Sequence, residues 1–273
     1  MNKTAIILTV YLNDSFSDFK DSITSLYCQT NTCFDIFVQE DGNVNPKIHD
    51  FLISQLKDKK IKFLGERSLN QGFDYSLNEL IKIVMNLDYE YIVRMDADDI
   101  SNPQRIEKQL IFMESNSSID VCGTNIQEFG DGFNYKKIVS YPLNHEDMYN
   151  FFNKRVPLAH VSAFFRRSYF VKAGLYKVDG HLNNGDTLMW MSGFMNGCNF
   201  ANIDIIGVKV RVSSSFFNRR GGWKKTTADF KNRMLVNKNL DYGFMSYLYA
   251  IFGAGINLSP SLFKKYAYKY LRR

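Results

Sequence analysis

Apolar positions along the first half of this chain switch between two periods. Residues 4–10 form a short, almost unbroken apolar run, which predicts a strand buried on both faces. Phe16, Phe19, Ile23 and Leu26 then recur at helical spacing and predict a helix over 16–27. The alternation continues with a strand at 34–38, a helix at 46–56, a short strand at 61–64 and a helix at 73–85 through Leu77, Leu80, Ile81 and Val84. A strand at 91–93 and a helix at 103–114 complete it. This βαβα rhythm predicts an α/β fold, a mostly parallel central sheet with helices on both faces. After a strand at 119–123 the rhythm breaks. Residues 128–144 are polar, contain Gly130 and Gly132, and suit a hairpin or excursion. Residues 161–165 read as a strand and 186–195 as a helix around Trp190. The remainder reads as helical, broken near 253–260, with no internal repeat and no low-complexity linker.

Composition changes this picture little. At 273 residues the chain is one large domain or two small ones, and its 45% apolar content is ordinary for a globular protein. Cys28, Cys33, Cys122 and Cys198 show neither zinc spacing nor a disulfide framework, so a reducing cytoplasm is the expected setting. The first apolar run leads into Asn13-Asp14 with no small-residue cleavage site, unlike a secretory signal. No apolar stretch reaches the roughly 18 residues of a spanning helix.

Charge adds more. The net charge is +6, and thirteen lysines and arginines from Arg211 to Arg273 face only Asp229 and Asp241. Aromatic residues such as Phe244, Tyr247 and Phe252 sit among them. That mixture suits peripheral contact with an anionic membrane rather than reading of nucleic acid. A solvated pair of basic terminal helices is the plain alternative.

The strongest chemical pattern lies at 89–109. The apolar run Tyr91-Ile92-Val93 stops at Asp96, Asp98 and Asp99, and a helix start follows, with Ser101 or Asn102 as cap and Pro103 in its first turn. Carboxylates at the carboxyl end of a strand sit where open α/β sheets bind ligands. Their mutual repulsion calls for a cation. Oxygen-only ligands of this kind suit Mg²⁺ or Mn²⁺ shared with substrate phosphates. An acidic loop capping a helix is the plain alternative. The first two strands end at Thr9-Val10-Tyr11 and at Glu40-Asp41-Gly42-Asn43, on the same predicted edge. There a ring can lie against a base and a carboxylate can accept from a base N–H, although Asp-Gly-Asn alone is a turn pattern. Arg67 to Gly72 combines a cation, a glycine turn and a helix start that can face a diphosphate, or forms a simple turn–helix junction.

In order and spacing these pieces resemble family 2 glycosyltransferases, inverting enzymes of the GT-A fold. The matching elements are Thr9-Val10-Tyr11-Leu12, Ser25-Leu26, Gln29-Thr30, Glu40-Asp41-Gly42-Asn43, Asn70-Gln71-Gly72 with Asn78, and Asp96-Ala97-Asp98-Asp99 followed by Pro103, Arg105 and Gln109. The resemblance runs from residue 4 to about 225 and implies a Rossmann-like GT-A sheet plus a helical C-terminal region. The implied division is a transferase domain at 1–225, with a nucleotide half at about 1–123 and an acceptor half at about 124–225, and a basic, aromatic region at 226–273.

The resemblance also implies roles. Asp41 holds a uracil with Thr9 and Tyr11 beside it, Asp96 meets the ribose, and Asp98 ligates an Mn²⁺ or Mg²⁺ that bridges the diphosphate. Asp99 supports that network, and Arg67 and Asn70 lie near the nucleotide. The family carries its base in a Glu-Asp pair before a tryptophan-bearing helix; Gly185-Asp186 and Trp190 match it, with Gly185 in place of the glutamate. Asp186 is then the catalytic base, and also suits a helix cap. Thr9 for proline, Leu12 for asparagine and Glu40 for aspartate are further departures. The segment 158–167 resembles a strand bordering the acceptor, which makes His160 a candidate contact. Arg211 and the segment Phe217-Asn218-Arg219-Arg220-Gly221-Gly222 resemble a basic loop after the catalytic helix, and closure of 213–225 over the diphosphate is expected once donor is bound.

The expected activity is transfer of a sugar from a nucleotide-sugar, a UDP-sugar, to a saccharide or lipid-linked acceptor. The expected setting is synthesis of O-antigen, capsule or exopolysaccharide at the inner face of the cytoplasmic membrane. A nucleotidyltransferase shares such a sheet but opens with a glycine-rich loop, and 9–16 contains no glycine. A non-catalytic nucleotide-sugar-binding protein is the other alternative.

Overall fold

The computed structural model describes residues 3–130, 137–178, 185–212 and 222–259. Strands β1 (Thr4–Tyr11), β2 (Phe34–Asp41), β3 (Phe63–Gly65) and β4 (Tyr91–Met95) alternate with helices α1 (Phe16–Tyr27), α2 (Pro46–Lys57) and α3 (Phe73–Met85). β1 lies between β2 and β4 and is parallel to both, with β3 parallel on the far side of β2. Its unbroken apolar run serves two cores. Ala5 and Ile7 pack with Leu77, Leu80 and Ile81 of α3, while Ile6, Leu8 and Val10 pack with Phe19, Ile23 and Leu26 of α1. Helices thus cover both faces, as the sequence predicts.

The second half holds β5 (Ile100–Ser101), α4 (Arg105–Ser115), β6 (Val121–Phe129), β7 (Lys137–Val139) and α5 (His145–Phe152). A 3-10 turn (His160–Ser162), β8 (Phe164–Arg166), α6 (Arg167–Ala173), α7 (Gly185–Met195) and β9 (Phe200–Arg211) follow. The sheet runs β3-β2-β1-β4-β8-β6-β9-β5, with β7 paired to β6. β8 is antiparallel to β4 and β6, β9 is parallel to β6, and β5 is antiparallel to β9. The hairpin expected at 128–144 is present as β6–β7; residues 131–136 lie outside the described residues.

Three readings are corrected. The strand expected at 161–165 starts as a turn, because the Ser162 N–H and hydroxyl both bond back to the Ala159 carbonyl at 2.8 and 2.9 Å. The twelve-residue β9 was not expected, because Asn202 and Asp204 interrupt its apolar pattern. Asp204 is accommodated where the β6–β9 register shifts, accepting from Asn125 at 2.8 Å. The helical end expected near 253–260 falls at Leu258, but a further break was not expected: α8 (Trp223–Asn239) and α9 (Phe244–Leu258) are separate helices, with Asp241 between them at a positive φ of 52°. Gly253 and Gly255 are carried inside α9, each at a cost of about 1 kcal/mol relative to alanine.

α8 is built into the domain. Val236, Leu240 and Tyr242 join the core that holds Trp190. The Tyr149 hydroxyl donates to the Leu240 carbonyl and the Tyr242 hydroxyl to the Tyr149 carbonyl, both at 2.5 Å. All four cysteines are free, Cys28 and Cys33 exposed and Cys122 and Cys198 buried. No helix among the described residues is long and apolar enough to cross a membrane.

Candidate active site

Parallel pairing puts the ends of β1, β2 and β4 on one edge of the sheet. Tyr11 pairs with Asp41 across β1 and β2, and β4 releases Asp96 one residue beyond its last pair with β1, Leu8 with Met95. Thr9 is buried there, and Tyr11 is 38% exposed. After Tyr11 the chain turns sharply, with Asp14 Oδ2 accepting from the Tyr11 N–H at 2.9 Å. Burial pushes the Asp14 carboxyl up to about 7, with Asp98, Asp96 and Asp18 adding repulsion against the lowering effect of that hydrogen bond. Asp14 therefore belongs to the same acidic cluster. The sequence offered no sign of it, because a lone Asp in a turn is ordinary.

Asp41 is buried, and its two oxygens accept from four donors. Oδ1 takes Arg67 Nη2 at 2.8 Å and the Gln71 N–H at 2.9 Å. Oδ2 takes Asn70 Nδ2 at 3.1 Å and the Gly72 N–H at 3.0 Å. A carboxylate offers about four lone-pair directions, so Asp41 is spent on holding the loop that leads into α3. A uracil N–H would reach it only by displacing one of these donors. Arg67 is held in turn by Glu79 at 2.5 Å and by Ser76, and its guanidinium lies 5.0 Å from the Tyr75 ring centre. Gly42 fits this packing for a physical reason: its φ is +79°, and an added Cβ would lie 2.7 Å from the Asn70 backbone nitrogen.

Asp96, Asp98 and Asp99 bring one carboxylate oxygen each within 4.8 Å of one another. Asp99 is buried and accepts from the Arg211 N–H at 2.8 Å. Burial, then Asp96 and Asp98, raise its carboxyl well above the usual range. Oxygen ligands under mutual repulsion and partial desolvation match the chemistry of a hard divalent cation. Arg94 of β4 pairs with Asp96 and lies 5.0 Å from the Phe73 ring centre. Arg211 Nε donates to the Asp98 carbonyl at 3.0 Å, so β9 also pins the acidic loop. Arg105 is fully buried and donates to the carbonyls of Arg94 at 2.9 Å and Val161 at 3.0 Å. Gln109 donates to the Ser162 carbonyl at 2.9 Å. These two residues of the matched motif are thus a brace behind the loop. The sequence had singled out Arg211 only as part of a basic loop, and had given Arg94 no role.

On the other flank, α7 starts at Gly185, and Asp186 Oδ1 accepts from the Thr187 N–H at 2.7 Å. Asp186 is only partly buried, and this local bond uses one of its two oxygens. Trp190 is fully buried, stacked at 5.8 Å on Phe165, and acts as core. His160 is ringed by Phe73, Tyr176 and Trp190, and its Nε2 lies 2.6 Å from the Tyr176 hydroxyl. Burial, then Arg94, hold its imidazole well below the ordinary range, so it stays neutral. Asp74, in the first turn of α3, adds a carboxylate beside Asp186 that the sequence did not flag. The basic loop at 213–221, with Arg219 and Arg220, lies outside the described residues.

A nine-stranded, mostly parallel sheet with clustered carboxylates at the carboxyl end of β4 is the frame of a GT-A transferase. The sequence matches Glycosyl transferase family 2 over residues 5–174, and the chain belongs to that family. Among its relatives, a UDP-Gal:α-D-GlcNAc-diphosphoundecaprenol β-1,3-galactosyltransferase of Escherichia coli is 23% identical over 275 residues, spanning 99% of this chain and 97% of that one. The amylovoran biosynthesis glycosyltransferase AmsE of Erwinia amylovora is 24% identical over 270 residues, spanning 98% and 99%. A mannosyltransferase from Pyrobaculum calidifontis, solved with GDP-Man and Mn²⁺, shares the fold with a TM-score of 0.62 at 12% identity, covering 98% of this chain and 80% of that one.

Proposed function

We propose that this chain is a metal-dependent, inverting glycosyltransferase that moves a sugar from a UDP-sugar to a lipid-linked saccharide during assembly of a bacterial surface polysaccharide. The observation that carries the reading is the gathering of Asp96, Asp98 and Asp99 at the carboxyl edge of the sheet, with Arg94 pairing with Asp96 and acting, together with Asp186, on Asp74. The donor class and the lipid-linked acceptor follow the UDP-Gal and diphosphoundecaprenol in the name of the E. coli relative.

In this reading Thr9 and Tyr11 border the base, and Asp41 keeps Arg67 and Asn70 in place beside the nucleotide. Asp96 meets the ribose, and Asp98 is the principal ligand of Mn²⁺ or Mg²⁺. The ion, when bound, offsets the charge that grows on the departing diphosphate. Asp186 takes the proton from the acceptor hydroxyl as that oxygen attacks the anomeric carbon from the face opposite the nucleotide. Residues 1–225 form the transferase unit, with α8 packed into its core, and within 226–273 the exposed apolar helix α9 attaches it to an anionic membrane surface at the inner face of the cytoplasmic membrane.

The test is thermal stabilisation by UDP, GDP and UDP-sugars, each with and without Mn²⁺. A ligand bound only by the folded state raises the melting temperature. The expected result is a rise with UDP plus Mn²⁺ that disappears in Asp98→Ala. No rise with any nucleotide would remove the donor-site reading altogether.

A further inference from the structure

Asp74 projects from α3 toward the start of α7, into space left by the missing side chain of Gly185. A Cβ added at 185 would overlap both carboxylate oxygens of Asp74. Asp186 lies close enough to repel it, and Arg94 of β4 close enough to attract it. Among the described residues no hydrogen bond reaches this half-buried carboxylate, which is a costly state for a desolvated acceptor. Burial, then Asp186, push its carboxyl up to about 6 against the pull of Arg94. An acid in the first turn of a helix is ordinarily stabilised by the helix dipole. That accounts for an aspartate here but not for one turned against a second carboxylate.

Two neighbouring carboxylates with spare acceptor capacity suit a ligand that brings several O–H donors. We infer that Asp74 stands in for the glutamate that Gly185 replaces: it accepts a hydrogen bond from a hydroxyl of the acceptor sugar adjacent to the one that Asp186 deprotonates. The substrate class this selects is a glycoside with two neighbouring free hydroxyls. The inference rests on the proposed role of Asp186 as the base. It explains the departure at 185 by the geometry of this chain: α3 supplies the carboxylate, and the glycine on α7 makes room for it.

The test uses the full chain loaded with UDP and Mn²⁺, and saturation-transfer NMR with methyl glycosides of glucose, galactose and N-acetylglucosamine. Wild type, Asp74→Asn, Asp74→Ala and the swap Asp74→Ala with Gly185→Glu are compared. Losing a hydrogen bond to a charged acceptor weakens binding by roughly 10- to 100-fold, and that loss is expected in both single variants. The swap is expected to recover most of it, and stabilisation by UDP plus Mn²⁺ is expected to stay at the wild-type level in all four proteins. Glycoside binding unchanged in Asp74→Asn, none by the wild type, or a swap no better than Asp74→Ala would each overturn the inference. If UDP plus Mn²⁺ fails to stabilise even the wild type, it is the donor-site reading that has failed.

Discussion

Repulsion between carboxylates is the recurring motif at the residue scale. Asp14, Asp96, Asp98 and Asp99 crowd one flank of the edge, and Asp74 faces Asp186 on the other. The two groups can be told apart by substitution. Asp186→Asn is expected to lower kcat by about 10²- to 10⁴-fold, the usual contribution of a general base, while stabilisation by UDP plus Mn²⁺ is retained. Full turnover in that variant would mean that the base lies elsewhere. Asp74 also makes a pH prediction. Its carboxyl titrates at an ordinary 3.8 in the unfolded chain and at about 6 in the folded one. Between those values the folded state holds the extra proton, so stability falls as pH rises through the window. Without nucleotide or metal, the melting temperature of wild type relative to Asp74→Asn should decline from about pH 4 to about pH 6 and level off above it. A constant difference across that range would contradict the burial of Asp74 against Asp186.

At the scale of elements, the acidic loop between β4 and β5 is held by partners far away in sequence. Ser22 of α1 donates to the Asp96 carbonyl at 2.8 Å, Arg211 of β9 reaches Asp98, and Arg105 of α4 takes the carbonyls of Arg94 and Val161. Among the described residues Arg105 forms no ion pair, and burial, then Arg94, lower its guanidinium to about 9 against the pull of Asp99 and Asp96. Its value is as a donor to carbonyls that water cannot reach. Arg105→Met fills similar volume but orphans them, and is expected to cost about 3 kcal/mol, read as a lower urea midpoint. A midpoint within error of wild type would show that these carbonyls find other partners.

Over the whole molecule, the least globular feature is α9. It contains no charged residue, yet Phe244 is 74% exposed, Phe252 62% and Ile251 59%. Lys224, Lys225, Lys231 and Lys238 lie on α8, just before it. An apolar helix beside basic residues suits the boundary of an anionic bilayer, where hydrophobic insertion and charge attraction add. Sedimentation with phosphatidylglycerol vesicles is expected for wild type, weaker at high salt, and largely lost when Phe244, Ile251 and Phe252 are all changed to serine. Equal sedimentation of the triple variant would place the membrane contact elsewhere or remove it.

The sequence alone determined what depends on neighbours a few residues apart. The period of apolar positions marked β1, α1 and α3, because a buried strand and an amphipathic helix write different spacings into the chain. The run into Asp96, Asp98 and Asp99 was legible for the same reason: a strand, its end and the next helix are contiguous. β9 was hidden because Asn202 and Asp204 spoil its pattern, and only pairing with β6 across a register shift explains them. Asp14 was hidden in an ordinary turn, and Arg94 in the middle of a strand. Gly185 read as a departure from the family pattern until α3 was seen to deliver Asp74 into the space it leaves. Those features depend on which elements meet in space. Spacing along the chain does not encode a contact between residues 74 and 185; packing of two helices on one face of a sheet does.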